Sequence, residues 1–241
     1  MTWIKPDWPV ADNIHAAVTL RTGGVSKGAF QSLNPALHVN DNAERVMTNR
    51  QHISQMLKLP AEPVWLEQVH GDRVIKADEN AALKQADASF TEQPGVVCTV
   101  MTADCLPILL ANANGSQIAA IHGGWRGLLA GVISNTVALF NSSSNVIAWL
   151  GPAIGPDCFE VGAEVQSSFV AKSPKYSDAF KQKNQDKYLA DIYQLARIEL
   201  AMLGIKQVYG GDFCTVSDKQ RFYSYRRDGE TGRMATLIWR D

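Results

Sequence analysis

The sequence lacks any apolar run able to cross a bilayer. Its most apolar stretch, Val96 to Ala113, is broken by Asp104 and Pro107 and is too short to span. The opening segment, MTWIKPDWPVADN, has two prolines and two acids where a secretory signal needs an apolar stretch. A cytoplasmic protein with no membrane partner is therefore expected. Charge of one sign is also missing: 23 Lys and Arg face 24 Asp and Glu, for a formal charge of −1. That balance gives no electrostatic footprint for nucleic acid or an anionic membrane. Cysteine is scarce, with four residues and no C-x-x-C pair, so Cys98, Cys105, Cys158 and Cys214 read as reduced thiols rather than a disulfide framework. Histidine is scarcer relative to its chemistry, at five residues. Internal repeats, low-complexity tracts and linkers are absent, and only NSSSN (Asn141–Asn145) resembles a flexible loop.

What is present is ordinary for a globular chain: 241 residues, 46% apolar and 20% charged. One domain over 1–241 with a sizeable core is expected. Strands are predicted at HAAVTL, PVWLEQVHG, RVIKAD, VVCTVMT, CLPILLA and QIAAIHGG, with a helix at Ala43–Leu57 capped by Asp41 or Asn42. Beyond His122 the pattern predicts a helix over Arg126–Phe140, a strand at NVIAWLG, and helices over Val161–Ala171 and Tyr188–Leu203. Strands at QVYGG, RFYSYRR and MATLIWR follow, the last two joined by a hairpin through DGETGR. No clean βαβ alternation emerges, so the fold class is α+β: layered mixed sheets with helices.

The stretch TADCLPILL raises a chemical question, because an acid and a thiol interrupt what reads as a buried strand. A carboxylate buried without a partner is expensive, so either the strand ends here or its tip carries chemistry. His70 closes WLEQVHG and His122 closes AAIHGG, each followed at once by glycine, and Cys105 stands at a third such break. If the three tips converge, His70, Cys105 and His122 form a three-ligand shell for zinc with an open fourth position. The same residues permit a Cys–His hydrolase, with Cys105 as nucleophile, His122 or His70 as base and Asp104 orienting. Two His and one Cys also match a copper shell. Set against all three is the plain reading of polar turn residues and a packed thiol. HGGWRGLLAG adds a strand-to-helix turn where Arg126 could help hold an anion. RTGGVSKGAF, with Arg21 and Lys27, reads from composition as a solvated hairpin loop.

Six pieces in order carry a resemblance: TLRTGGVSKGAFQSLN with HVNDN, LEQVHGDRV, TADCLPILL, AAIHGGWRGLLAGV, GPAIGPDCFEVG and FYSYRRDGETGR. Together they resemble the bacterial YfiH-type laccase-domain family over essentially the whole chain. The resemblance implies zinc held by His70, Cys105 and His122, and a compact α+β layered fold. It also implies phosphorolysis of adenosine, inosine and methylthioadenosine, with adenosine deamination alongside. Phe159 stands where relatives often carry Tyr, and Leu128 where a small hydroxyl residue is common. Purine nucleosides and phosphate are then the expected partners, with Arg21 the expected phosphate ligand and Arg126 and Arg226 its rivals. Asp104 would support the metal or hold a substrate hydroxyl. A multicopper oxidase needs far more imidazoles than five histidines supply, although copper can occupy such a shell adventitiously. A metal-binding module without turnover is the remaining alternative.

Overall fold

The computed structural model describes residues 3–77 and 85–241. In chain order its first elements are β1 (Trp3–Ile4), β2 (Ile14–Thr19), α1 (Ala43–Leu57), β3 (Val74–Lys76), β4 (Ala88–Thr91) and β5 (Cys98–Thr102). Then come β6 (Leu106–Asn112), β7 (Ile118–Gly123), α2 (Trp125–Ala130), α3 (Val132–Val137), β8 (Val146–Leu150), β9 (Glu160–Gly162) and α4 (Ala163–Lys172). The last are β10 (Phe180–Gln182), β11 (Lys187–Ala190), α5 (Ile192–Met202), β12 (Gln207–Gly210), α6 (Tyr225–Asp228) and β13 (Met234–Arg240).

Two large sheets stack. One has the order β1-β2-β13-β5 and is antiparallel throughout. The other has the order β12-β8-β6-β7-β4-β3, antiparallel inside and parallel at both edge pairs. A small sheet, β10-β11-β9, stands apart from both. Alternation along β6 shows how the layers form. Leu109 and Ala111 point into a core shared with Val18, Val100 and Ile238 of the four-stranded sheet. Ile108 and Leu110 point the other way, against Leu128, Val132, Leu195 and Leu200 of the helices. A strand covered on both faces has to be apolar at every position, which accounts for PILLA. On its outer face the four-stranded sheet packs Ala17, Leu237 and Trp239 against Ile53 and Leu57 of α1. The result is an α-β-β-α sandwich, the α+β class expected.

Several boundaries differ from the sequence reading, each for a local reason. The long helix after His122 is split at Gly131, whose φ of 105° only glycine adopts without strain. Tyr188–Ala190 belongs to β11, and Asp191 caps α5 by accepting the Gln194 N–H at 3.0 Å. β9 occupies the start of the helix expected from Val161. PVWLEQVHG makes only isolated bridges, at Val64 and Glu67, because side chains satisfy its backbone instead of a ladder. RFYSYRR is no strand: Ser224 caps the short helix α6, so the hairpin through DGETGR does not form. β4 was not anticipated. Asp78, the last residue of RVIKAD, lies outside the described residues.

Candidate active site

Asp104 and Cys105 sit where the chain leaves one sheet for the other. Only Ala103 to Cys105 separate β5, in the four-stranded sheet, from β6, in the six-stranded one. Turning that corner places Asp104 at φ 90°, a strained conformation for a residue with a side chain. Its carboxylate pins the corner. Oδ1 accepts from Thr215 Oγ1 at 2.5 Å, and Oδ2 accepts from Ser224 Oγ at 3.1 Å and the Arg226 N–H at 2.6 Å. Asp104 therefore joins the corner to the cap of α6, and its oxygens are engaged by protein donors.

The turn delivers the Cys105 thiol beside two imidazoles. Cys105 Sγ is 3.7 Å from His70 Nε2, and the ligand atoms of His70, Cys105 and His122 all lie within 4.8 Å of one another. Tetrahedral zinc with Zn–S of about 2.3 Å and Zn–N of about 2.05 Å sets S and N about 3.6 Å apart, so the thiol and His70 fit such a shell. The two imidazoles meet edge to face, with centroids 4.7 Å apart and planes at 77°.

Asp87, fully buried, organises both histidines. Its Oδ1 lies 2.7 Å from His122 Nδ1, and its carbonyl accepts the His122 N–H at 2.7 Å. The same carboxylate accepts the N–H groups of Val69 at 3.2 Å, His70 at 2.8 Å and Gly71 at 2.7 Å. Burial pushes the Asp87 carboxyl up, but the bonds from His122, Gly71 and Val69 outweigh it and hold the group below its ordinary range. As a carboxylate it only accepts, so His122 donates Nδ1–H and turns Nε2 toward Cys105. Gln68 fixes the loop further: its Nε2 donates to the Met101 carbonyl and its Oε1 accepts the Met101 N–H, both at 2.7 Å. His70 itself adopts φ 60°.

Burial raises the Cys105 thiol, yet the neighbouring imidazoles of His122 and His70 overcome this and bring it down to about 6. Burial likewise lowers His122, but Cys105 and Asp87 lift it to about 9. Without a metal the pair is thiolate and imidazolium at neutral pH. The donor set is one that a thiophilic divalent ion takes, with one carboxylate orienting the buried imidazole from behind.

The triad opens onto a cavity of about 450 Å³. Ile154, Phe159, Ile192 and Trp125 give it apolar walls, Arg126, Arg226 and Arg233 give it cations, and His38, held below the ordinary histidine range by burial and Arg233, adds a polar wall. The glycines after His122 are there for space. A Cβ on Gly124 would stand 2.8 Å from His70 Cδ2 and 3.3 Å from Cys105 Sγ.

Of the arginines expected, Arg126 and Arg226 line this cavity. Arg126 is exposed and stacks on Trp125 at 4.3 Å. Arg226 spends Nη1 on the Cys158 carbonyl and Nη2 on that of Glu160. Arg21 does not line this cavity. Its guanidinium donates to the carbonyls of Gln31 and Lys219, lies over Tyr223, and lines a separate groove with Lys219 and Glu230. The loop that carries it folds back on itself rather than toward the triad. The sequence reading missed Asp87, Gln68, His38 and Arg233. His38 and Arg233 were within reach, since both lie in stretches that carry the family resemblance. Asp87, in QADASF, has no local signal.

Residues 15–241 match the family described as multi-copper polyphenol oxidoreductase laccase. The chain belongs to this family. It is 53% identical to purine nucleoside phosphorylase YfiH of Shigella flexneri over 98% of both chains. It is 49% identical to purine nucleoside phosphorylase PA4543 of Pseudomonas aeruginosa, again over 98% of both. Among solved structures of this laccase-like family, a Neisseria meningitidis protein superimposes with a TM-score of 0.96 at 45% identity, covering 100% of each chain. YlmD from Geobacillus stearothermophilus gives 0.91 at 30% identity, covering 100% of this chain and 96% of its own.

Proposed function

We propose that this protein is a cytoplasmic, zinc-dependent purine nucleoside phosphorylase acting on adenosine, inosine and methylthioadenosine, with adenosine deamination as a side activity. One observation carries the reading: a single cavity joins a His–Cys–His ligand set to apolar walls and arginine cations. Its relatives bearing the phosphorylase name support the reaction class. No helix among the described residues is long and apolar enough to cross a membrane, which agrees with the location.

His70, Cys105 and His122 would hold a zinc ion, which when bound would supply Lewis acidity to the site. The chain's own residues do the rest. Ile154, Phe159 and Ile192 receive the flat purine and exclude water from it. Arginine charge in the cavity attracts the phosphate dianion and screens it. A phosphate oxygen bonds to the ribose anomeric carbon. The glycosidic C–N bond breaks, its electron pair leaves with the purine, and that nitrogen takes up a proton. The polyphenol-oxidising label fits less well, because the chain's five histidines cannot fill a blue-copper site and a three-copper cluster.

Zinc analysis of protein purified without added metal, run beside inosine turnover with and without phosphate, tests the proposal. About one zinc per chain and phosphate-dependent release of hypoxanthine are expected. Equal cleavage without phosphate removes the phosphorylase assignment. The lowered Cys105 thiol favours a second reading, a Cys–His hydrolase. That enzyme would survive chelation and die on alkylation, whereas the zinc enzyme loses activity to the chelator.

A further inference from the structure

Arg233 stands out among the cations of the cavity. It is half-buried, and its Nη1 donates to the carbonyls of Thr231 at 2.9 Å and Gly232 at 3.0 Å. Among the described residues, Nε and Nη2 donate to no protein acceptor, and no carboxylate pairs with the guanidinium. The charges of Cys105 and Asp104 favour the guanidinium from a distance, but neither hydrogen-bonds to it, and Asp104 already accepts from Thr215, Ser224 and the Arg226 N–H. A half-buried cation with no directly bonded counter-ion is costly unless a ligand supplies one. Nε and Nη2 form the side-on edge of the guanidinium, which grips two oxygens of an oxyanion at once.

The fork is also held ready. The Arg233 N–H donates to Oδ1 of the fully buried Asn34 at 3.0 Å, and Asn34 Nδ2 donates in turn to Asp41 at 2.9 Å. Two carbonyls fix the guanidinium at the other end, so little ordering remains to be done on binding. Arg233, His38 and Tyr225 also wall a second cavity of about 310 Å³ that opens beside Asn40 and Glu230. Arg233 thus stands between the triad's cavity and a groove to solvent. The other arginines are less suited: Arg226 has already given one N–H of each terminal nitrogen to a carbonyl, Arg126 is exposed on Trp125, and Arg21 lies elsewhere.

We infer that Arg233 is the anion subsite of this cavity and binds the phosphate co-substrate side-on, an assignment that rests on the phosphorylase reading. R233K keeps the charge and loses the fork, and R233Q loses both.

Two measurements on the zinc-loaded full chain decide it: the phosphate and inosine dependence of turnover, and calorimetric binding of inorganic phosphate without nucleoside. R233K should raise the phosphate KM about ten- to a hundredfold while the inosine KM stays within about twofold and zinc content is unchanged. R233Q should do so at least as strongly, and if R233Q fails to fold, R233K alone carries the test. An unchanged phosphate KM, or equal losses for phosphate and inosine, overturns the assignment. If the wild type cleaves inosine without phosphate, the phosphorylase reading falls and calorimetry alone judges Arg233. Phosphate binding that R233K abolishes would then sustain the anion subsite, and no binding by the wild type would overturn it.

Discussion

Cys105 and His122 stand beside or on strands buried on both faces, whereas His70 stands on a loop next to Val69, which is 49% exposed. On the strand side the fold itself sets position: His122 faces Pro107 across the β6–β7 ladder, and hydrogen-bonded neighbours continue on both sides. On the loop side no ladder exists, and two side chains, Asp87 and Gln68, replace it by taking the backbone groups a strand partner would have taken. A ligand can therefore be placed by a sheet or by a few polar side chains, but the second method concentrates the work in very few residues. Asp87 is the extreme case, because it serves both sides at once.

Removing Asp87 is the most severe way to break this arrangement. D87A strands three N–H groups and the His122 Nδ1–H, and should cost about 3–5 kcal/mol in urea denaturation. Zinc affinity, read by chelator competition, should fall by about 10- to 100-fold or more. D87N keeps the shape and some of the bonds, so it should fold better and still bind zinc weakly. Wild-type affinity in D87N would show that the two sides are not coupled through this carboxylate.

Q68A attacks the loop side alone. Met101 loses a donor and an acceptor, at about 1–3 kcal/mol. Zinc affinity should fall less than in D87A, because His122 keeps its orienting partner. A loss as large as that of D87A would mean that Gln68, not Asp87, governs the loop.

G124A sharpens the contrast, since its Cβ would meet His70 Cδ2 at 2.8 Å. The exposed histidine can give way where the buried one cannot. Stability should change by less than about 1 kcal/mol while zinc affinity drops, a split that a core substitution does not produce.

The smallest perturbation is of pH. In metal-free protein the thiolate is the reactive form, so alkylation of Cys105 should hold its rate as pH falls from 9 and decline only below about 6. An ordinary thiol would already be slow at neutral pH. Bound zinc should protect Cys105 across the whole range.

His122 on β7 and the break at Cys105 between β5 and β6 were legible because their signal is local, an apolar run ending in a polar residue and a turn, whereas the strand expected to end at His70 is a loop. α1 was legible for the same reason, and its cap is Asn42, which accepts the Arg45 N–H at 3.0 Å. What escaped depends on contacts between distant segments. Nothing in QADASF announces that Asp87 will meet residues 69–71 and 122. Likewise, RFYSYRR has strand-like composition, and only the Asp104 carboxylate, supplied from more than a hundred positions away, favours the helix cap there. Nor does the glycine-rich neighbourhood of Arg21 show that its guanidinium turns to the carbonyls of Gln31 and Lys219.

The place of β13 has a consequence for synthesis. It lies between β2 and β5, pairing Thr236–Arg240 with Ile14–Val18 on one side and Met234–Ile238 with Cys98–Thr102 on the other. Until β13 leaves the ribosome, both neighbours present bare hydrogen-bonding edges that no local segment can cover. Nascent chains of this protein are thus exposed to edge pairing with one another until β13 has been made, and folding must wait on a very long loop closure. A premature stop even a few codons before Met234 would leave a chain with most of its core residues and no strand to join β2 to β5.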